Sequence, residues 1–481
     1  MGEQSDKTEK PADSGQPPVP IMVPMVIAFA FLMEQVDTTV IVTAIPQMAR
    51  DLDTTVLRLN LAVTAYALTL AVFIPVSGWL ADRFGARRIF VAALVVFTLA
   101  SAFCGLAQNL TELVVMRGMQ GLGGAMMTPV GRLILLRNVP RNRLITAMFY
   151  VSLPALIGPV IGPLLGGFLT SYASWRWVFF INLPFGLLGI VLALVFIKET
   201  RIEHRIRLDL RGFLLAGMGL AFMQLGIENA GHPMLPSVVT VIALVAAFAL
   251  LAGFYLHARR HPAPVIDLSL VRVRSFAIGS LVGSVCRIGI NGVPFLLPLT
   301  LQVGFGLDPF QSGMLTFFIA VGTLLLRTIS SRVLRQFGFH RVLPFGAVAS
   351  AVLIAGFALL TPETPHWVIA VYVVLFGISR STMFMGTNAL AYADIAPAEL
   401  SRATSLGGVV QQLSISFGVS AAALLLAWVS DEKGLTVADF HEAFLLLAIL
   451  PLAAVIGFSR LRPEDGAAVS GFGGKGRQPS P

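Results

Sequence analysis

Charge is the scarcest property of this chain. Asp, Glu, Lys and Arg make up 12% of 481 residues, 56% are hydrophobic, and the mean hydropathy is +0.82. A water-soluble domain of this length needs far more polar surface, so soluble enzymes and soluble binding modules are excluded as classes. Cysteine is nearly missing. The two present, Cys104 and Cys286, fall inside apolar stretches, which argues against a disulfide framework. No GxxxxGK(S/T) loop occurs, and the GFGGKG near the end lacks both the spacing and the hydroxyl. ATP is therefore not expected as the energy source. The seven histidines fall in loops or near the ends of apolar stretches and are read as binding no metal. No cofactor is expected, and no residue pattern supports catalysis.

Long apolar runs fill the space that charge leaves. They lie at 21–47, 58–81, 88–106, 110–136, 144–172, 176–197, 210–228, 235–257, 274–302, 310–330, 341–361, 366–392, 403–429 and 441–459. Each approaches the roughly 20 residues that carry a helix across a bilayer, so fourteen spans are predicted in an all-α polytopic membrane protein. The first run is too long, too late and too polar at Glu34 and Asp37 for a cleaved signal peptide. The ends, 1–20 and 461–481, read as disordered tails.

An even number of spans puts both ends on one side, and Lys and Arg say which. Alternate loops and the two tails carry about 25 basic residues, against Arg50, Arg58, Arg176 and Lys433 in the others. Both termini are therefore expected in the cytoplasm. The net charge of +9 reports that orientation and gives no reason to expect nucleic acid as a partner.

Residues 158–186 stand out within this apolar background. Gly158, Gly162 and Gly166 recur every four residues on one helix face, with Gly167 beside them, and invite close approach of another backbone, expected at the interface between the two halves of the chain. Pro159 and Pro163 interrupt that helix's own ladder, as a bending element would. Two basic stretches, Lys198–Arg211 and Arg259–Arg274, bracket a two-span insert. The chain divides into a six-span bundle (21–197), an insert (198–273) and a second six-span bundle (274–460). A faint repeat supports this: GWLADRFGARR, residues 78–88, resembles SSRVLRQFGFHR, residues 330–341, although the later copy lacks the acid. Repeats of this kind place a substrate near the bilayer midplane.

The same stretches carry a family resemblance. GWLADRFGARR resembles the loop motif of the major facilitator superfamily, at Gly78, Asp82, Arg83, Gly85, Arg87 and Arg88. LVVMRGMQGLGGA, with Arg117 and Gly121, resembles the superfamily's fourth-span motif, and GPVIGPLLGG its fifth-span antiporter motif. WRWVFFINLPFG (175–186) and VDTTVIVTAIP (36–46) resemble signatures of the fourteen-spanner drug:proton antiporters, with Val42 and Thr43 in place of the usual Val-Asn. The MMTPVGRL and GFLL stretches are similar to the MdtD-like subgroup of multidrug resistance proteins. The resemblance covers nearly the whole chain, and implies two six-helix bundles plus a two-helix insert, and export driven by a proton gradient. Its partners would be the lipid bilayer, protons and a small-molecule substrate, with the monomer as the working unit.

Chemistry in such a protein falls to polar residues forced into the membrane, where a charge at a helix centre costs about 2.5–3.5 kcal/mol on insertion scales. Glu34 and Asp37 share a face of the first span, so at least one is expected to hold a proton. The alternative is that Asp37 is tied to Arg117 and only Glu34 titrates. Arg117 itself either tunes a carboxylate or tethers backbone carbonyls. The resemblance implies that Asp82 latches an inner gate, while Arg87 and Arg88 read as anchors to the membrane surface. Arg287 and Arg380 lie mid-span in the later half without an evident acid, and attract an anion if they face a cavity. If instead they pair across helices with Glu34 or Asp37, or cap helix carbonyls, they are structural. Tyr66, Asn291, Asn388, Gln411 and Gln412 are candidate cavity hydrogen-bonders. Two transport functions follow: proton-driven export of lipophilic or cationic compounds, or export of an organic anion or metal chelate. A non-transporting sensor is disfavoured for want of an appended soluble domain.

Overall fold

The computed structural model describes residues 22–138, 144–199, 208–231, 236–262, 264–327, 330–395, 399–430 and 435–466. Among them fourteen long helices follow one another. The first six are α1 (Met22–Asp51), α2 (Asn60–Phe84), α3 (Ala86–Leu106), α4 (Leu110–Asn138), α5 (Leu144–Tyr172) and α6 (Trp177–Phe196). Next come α7 (Leu210–Gly231) and α8 (Ser237–Ala258). The last six are α9 (Arg274–Gly304), α10 (Pro309–Arg327), α11 (Phe339–Leu359), α12 (His366–Ala393), α13 (Leu400–Val429) and α14 (Val437–Phe458). Eleven are long and apolar enough to cross a membrane by themselves. Of the other three, α4 carries Glu112, Arg117, Arg132 and Arg137, which lower its hydropathy. Helices α5 and α10 contain the shorter apolar stretches Val160–Tyr172 and Pro309–Leu325 among the described residues.

Local chemistry sets the helix ends. Thr436 and Asp439 form a reciprocal capping box at the start of α14, and Asn109 with Glu112 does the same work at α4. The FG turn of the sequence repeat is reproduced in the backbone. Gly85 (φ 102°) separates α2 from α3, and Gly338 (φ 69°) separates the short helix Ser330–Phe337 from α11. Each glycine amide closes the preceding helix, onto Ala81 and Leu334 respectively, in a conformation that other residues rarely adopt.

Packing repeats as well. Within the first six helices α1 packs on α5, α2 on α4, and α3 on α4 and α6. Eight positions later, α9 packs on α13, α10 on α12, and α11 on α12 and α14. The two groups meet along α5 against α10 and α2 against α13, pairs that the repeat interchanges. Helix α7 leans on α2 and α13, while α8 leans on α7 and turns Val238, Val241, Ile242, Val245 and Phe248 outward, as a lipid-facing helix does.

Helix α5 runs continuously from Leu144 to Tyr172 across Pro159 and Pro163. The ring of Pro159 lies outside the described side chains. A proline removes a single donor, and neighbouring helices re-satisfy the freed carbonyls, so the ladder survives around it.

Candidate functional site

A cavity of about 1100 Å³ lies between the first and last six helices. Its wall reaches Gly78, Asp267 and Arg402, so it opens toward the end of the bundle that carries the Arg83–Arg88 loop. The opposite end is shut. There Gly167 lies against Pro309 and Phe310, and Gly313 against the Pro163 carbonyl, leaving no room for a Cβ. The Phe310 amide donates to Ser171 Oγ at 3.0 Å, Gln302 Nε2 donates to the Thr43 carbonyl at 3.0 Å, and Phe168, Tyr172 and Phe310 cluster beside them.

The two acids of α1 have different surroundings. Asp37 is 1% exposed, and its carboxylate accepts from Arg117 Nη1, Gln120 Nε2 and Asn182 Nδ2, each at 2.7 Å. Arg117 also donates to Gln120 Oε1 and to the Ala62 carbonyl, and its guanidinium stacks 4.5 Å from the Tyr66 ring. Gln120 and Asn182 share Ser101 Oγ as a further partner. This is a closed knot of charge-assisted bonds, the arrangement a buried ion pair needs to offset its desolvation. Asp37 does not reach the cavity wall; Glu34 does, held by Thr128 Oγ1 at 2.6 Å. Among the described residues Glu34 and Asp267 are the acids on that wall, and Asp267 sits at the mouth.

The remaining expectations divide in the same way. Tyr66, Asn291, Arg380, Gln411 and Gln412 line the cavity. The Tyr66 hydroxyl, Asn291 Nδ2 and Arg380 Nε find no hydrogen-bond partner among the described residues. Arg380 lies over the Phe384 ring at 5.3 Å. Arg287 and Asn388 belong elsewhere: they lie off the cavity wall and bond to each other at 3.0 Å. Arg287 also reaches the Ser280 carbonyl at 3.3 Å, so it ties α9 to α12 as a structural group.

Gly158, Gly162 and Gly166 face α1, against Gln35, Thr39 and Val40, rather than the seam between the two groups of helices. Of the four glycines in that motif, Gly167 faces the seam. In the loop motif Asp82 pairs with Arg137 of α4, Arg83 lies over Trp79 and Phe84, and Arg88 approaches Glu199 at 3.6 Å. Arg87 and Arg88 border a shallow groove with Val91 and Leu194, where an anchoring side chain would sit. A Cβ on Gly85 would strike the Glu199 carboxylate, while Gly78 faces open space on the cavity wall.

Several functional candidates escaped the sequence reading. Gln120 and Asn182 complete the Asp37 knot, and Asn182 was in plain view within WRWVFFINLPFG. Arg132 lines the cavity. Glu228 of α7 is a further buried acid, bonded to Gln224 and to Ser420 of α13 at 2.7 Å each, so the insert carries more polar structure than its composition suggests. His257 and His261 stand at HxxxH spacing, in HARRH.

Comparison with known proteins agrees with this architecture. The family profile "Major Facilitator Superfamily" matches residues 27–418 and 279–481. The chain is 37% identical over 447 residues to "Putative multidrug resistance protein MdtD" of Serratia proteamaculans (strain 568), covering 92% of this chain and 93% of that one. It is 38% identical over 449 residues to the protein of the same name from Escherichia coli (strain K12 / DH10B), covering 92% and 94%. Among solved structures, the POT family transporter PepTSo aligns with a TM-score of 0.69 at 15% identity, over 92% of this chain and 98% of that one. A D-xylose-proton symporter aligns with a TM-score of 0.67 at 16% identity, over 93% and 99%. At those identities the structures speak for the fold alone. Fold, cavity and relatives together identify an integral membrane transporter of small molecules, not an enzyme: the chain belongs to the major facilitator superfamily, in the group of MdtD-like multidrug resistance proteins.

Proposed function

We propose that this transporter is a proton-coupled exporter of lipophilic or cationic compounds, working by alternating access, with Glu34 carrying the proton. The observation that carries this reading is the position of Glu34 on the cavity wall, while Asp37 is consumed by its knot. A carboxyl in a low-dielectric cavity holds either a proton or a cationic substrate at modest cost, and not both, which is the exclusion an exchanger needs. Arg117 then acts as the tether that keeps α1 and α4 in register beside it. The proton gradient supplies the energy, so no cofactor is required.

The positive-inside pattern supports placing both termini and the open mouth in the cytoplasm of a bacterium, with the chain in its inner membrane. Substrate then enters the cavity from inside, and protons move inward on the return. In this arrangement α1 to α6 and α9 to α14 rock as two bundles about the α5–α10 and α2–α13 seams, with α7 and α8 as an insert. Closing the mouth requires Asp82 to exchange its partner Arg137 for one on the opposite bundle. A monomer holds the complete cavity.

A second substrate class, an organic anion or metal chelate, is favoured by one observation: Arg380 and Arg132 both line the cavity, and among the described residues Arg380 has no acid paired with it. Proteoliposomes with an imposed pH gradient distinguish the two. Gradient-driven movement of a lipophilic cation supports the first class and movement of an organic acid the second, and absence of both overturns proton-coupled export. If the anion is the substrate, Arg380→Gln raises its KM while leaving cation transport near wild type.

A further inference from the structure

Outside the cavity, one cluster of metal-ligating side chains is present among the described residues, at the ends of the two insert helices. Asp209 precedes α7, His257 lies in the last turn of α8, and His261 follows one turn later, held there by the His261 amide donating to the His257 carbonyl at 2.9 Å. Asp209 Oδ1 and His257 Nε2 are 2.7 Å apart, the two imidazole rings lie 5.1 Å apart at 30°, and one ligand atom from each of the three residues falls within 4.8 Å of the others. The carboxylate is oriented from behind, by the Gly212 amide at 2.9 Å and the Val265 amide at 3.3 Å.

We propose that Asp209, His257 and His261 form a binding site for a borderline divalent cation of the Zn²⁺ class. Two imidazoles and one carboxylate are the donor set this ion prefers, with water completing a tetrahedron. His257 alone accounts for the bond to Asp209. The second histidine, one helical turn on and stacked beside the first, supplies a third donor facing the same point. The backbone amides that fix Asp209 supply the outer support that metal-bound carboxylates require. The Asp209 side chain is 3% exposed and that of His257 21%, which leaves the site open to solvent from the histidine side, and Arg211, Arg259 and Arg260 flank it in sequence. Those positive charges tune the affinity downward and favour a site that loads and unloads.

The test uses the full chain, purified in detergent with its affinity tag removed, titrated with Zn²⁺ against a chromogenic chelator. Wild type is expected to take up a single Zn²⁺ in competition with the chelator. The His257→Ala/His261→Ala double variant should lose that uptake, and Asp209→Asn should weaken it by about tenfold or more. His261→Gln keeps the Asp209–His257 bond, so it reports on binding even if the double variant folds poorly, and it too should bind more weakly. Equal Zn²⁺ uptake by wild type and His261→Gln would overturn the assignment, as would a wild type that takes up none.

Discussion

Glu34 and Asp37 stand one turn apart on α1, yet one is tied to Arg117, Gln120 and Asn182 and the other faces the cavity. Asp37 has three donors within 2.7 Å, from α4 and α6, whereas Glu34 has the Thr128 hydroxyl. The last six helices repeat the contrast with opposite sign. Arg287 is bonded to Asn388 and the Ser280 carbonyl, while Arg380 lies on the cavity wall. Burial alone therefore does not mark a working group. What separates the members of each pair is whether neighbouring helices have already satisfied the charge.

The largest expected effect comes from breaking the fixed member. Arg117→Leu leaves Asp37 charged and buried among two amides, and should destabilise the protein on the order of 3–5 kcal/mol, read as a lowered Tm in detergent. A wild-type Tm would mean that Asp37 does not depend on its partner. Next is Gly162→Leu. Its side chain would collide with Thr39 and force α5 away from α1, at a cost of about 1–3 kcal/mol, and transport should fall to background because the wall bearing Glu34 shifts. Normal transport in this variant would show that the α1–α5 contact tolerates displacement.

The smallest effect concerns the cavity mouth. Asp267 accepts from Arg402 at 2.9 Å. Partial burial works against its ionisation, but the Ser269 hydroxyl and amide and the Arg402 guanidinium together hold its carboxyl below the ordinary value of 3.8. A lowered folded-state value contributes stability above the unfolded value and loses it as pH falls through the folded one. The Tm difference between wild type and Asp267→Asn should thus be constant near neutral pH and vanish in acid below 3.8. A difference that grows on acidification would contradict the assignment.

Much of the fold was legible in the sequence because bilayer thickness and helix rise leave few alternatives for apolar runs of this length. The FG turns were legible too, since glycine is the residue that the left-handed position demands. The site was only half legible. Arg117 was recognised as needing a partner, and Asp37 as one choice, but Gln120 and Asn182 meet Asp37 from 83 and 145 residues away. No local periodicity reports contacts across that separation. Arg287 and Arg380 were indistinguishable for the same reason, because their difference lies in Asn388 and the Ser280 carbonyl. The glycine face of α5 was read correctly as a close-packing surface, while its partner, α1 rather than the opposite bundle, depended on how the helices assemble.

The central claim is that Glu34, and not Asp37, is the protonatable group of the transport cycle. Glu34→Gln in proteoliposomes tests it most directly, by comparing pH-gradient-driven transport with substrate exchange in the absence of a gradient. The account predicts that Glu34→Gln keeps a wild-type Tm and gradient-free exchange but loses the response to the gradient. A Glu34→Gln protein that accumulates substrate under the gradient as wild type does would contradict it.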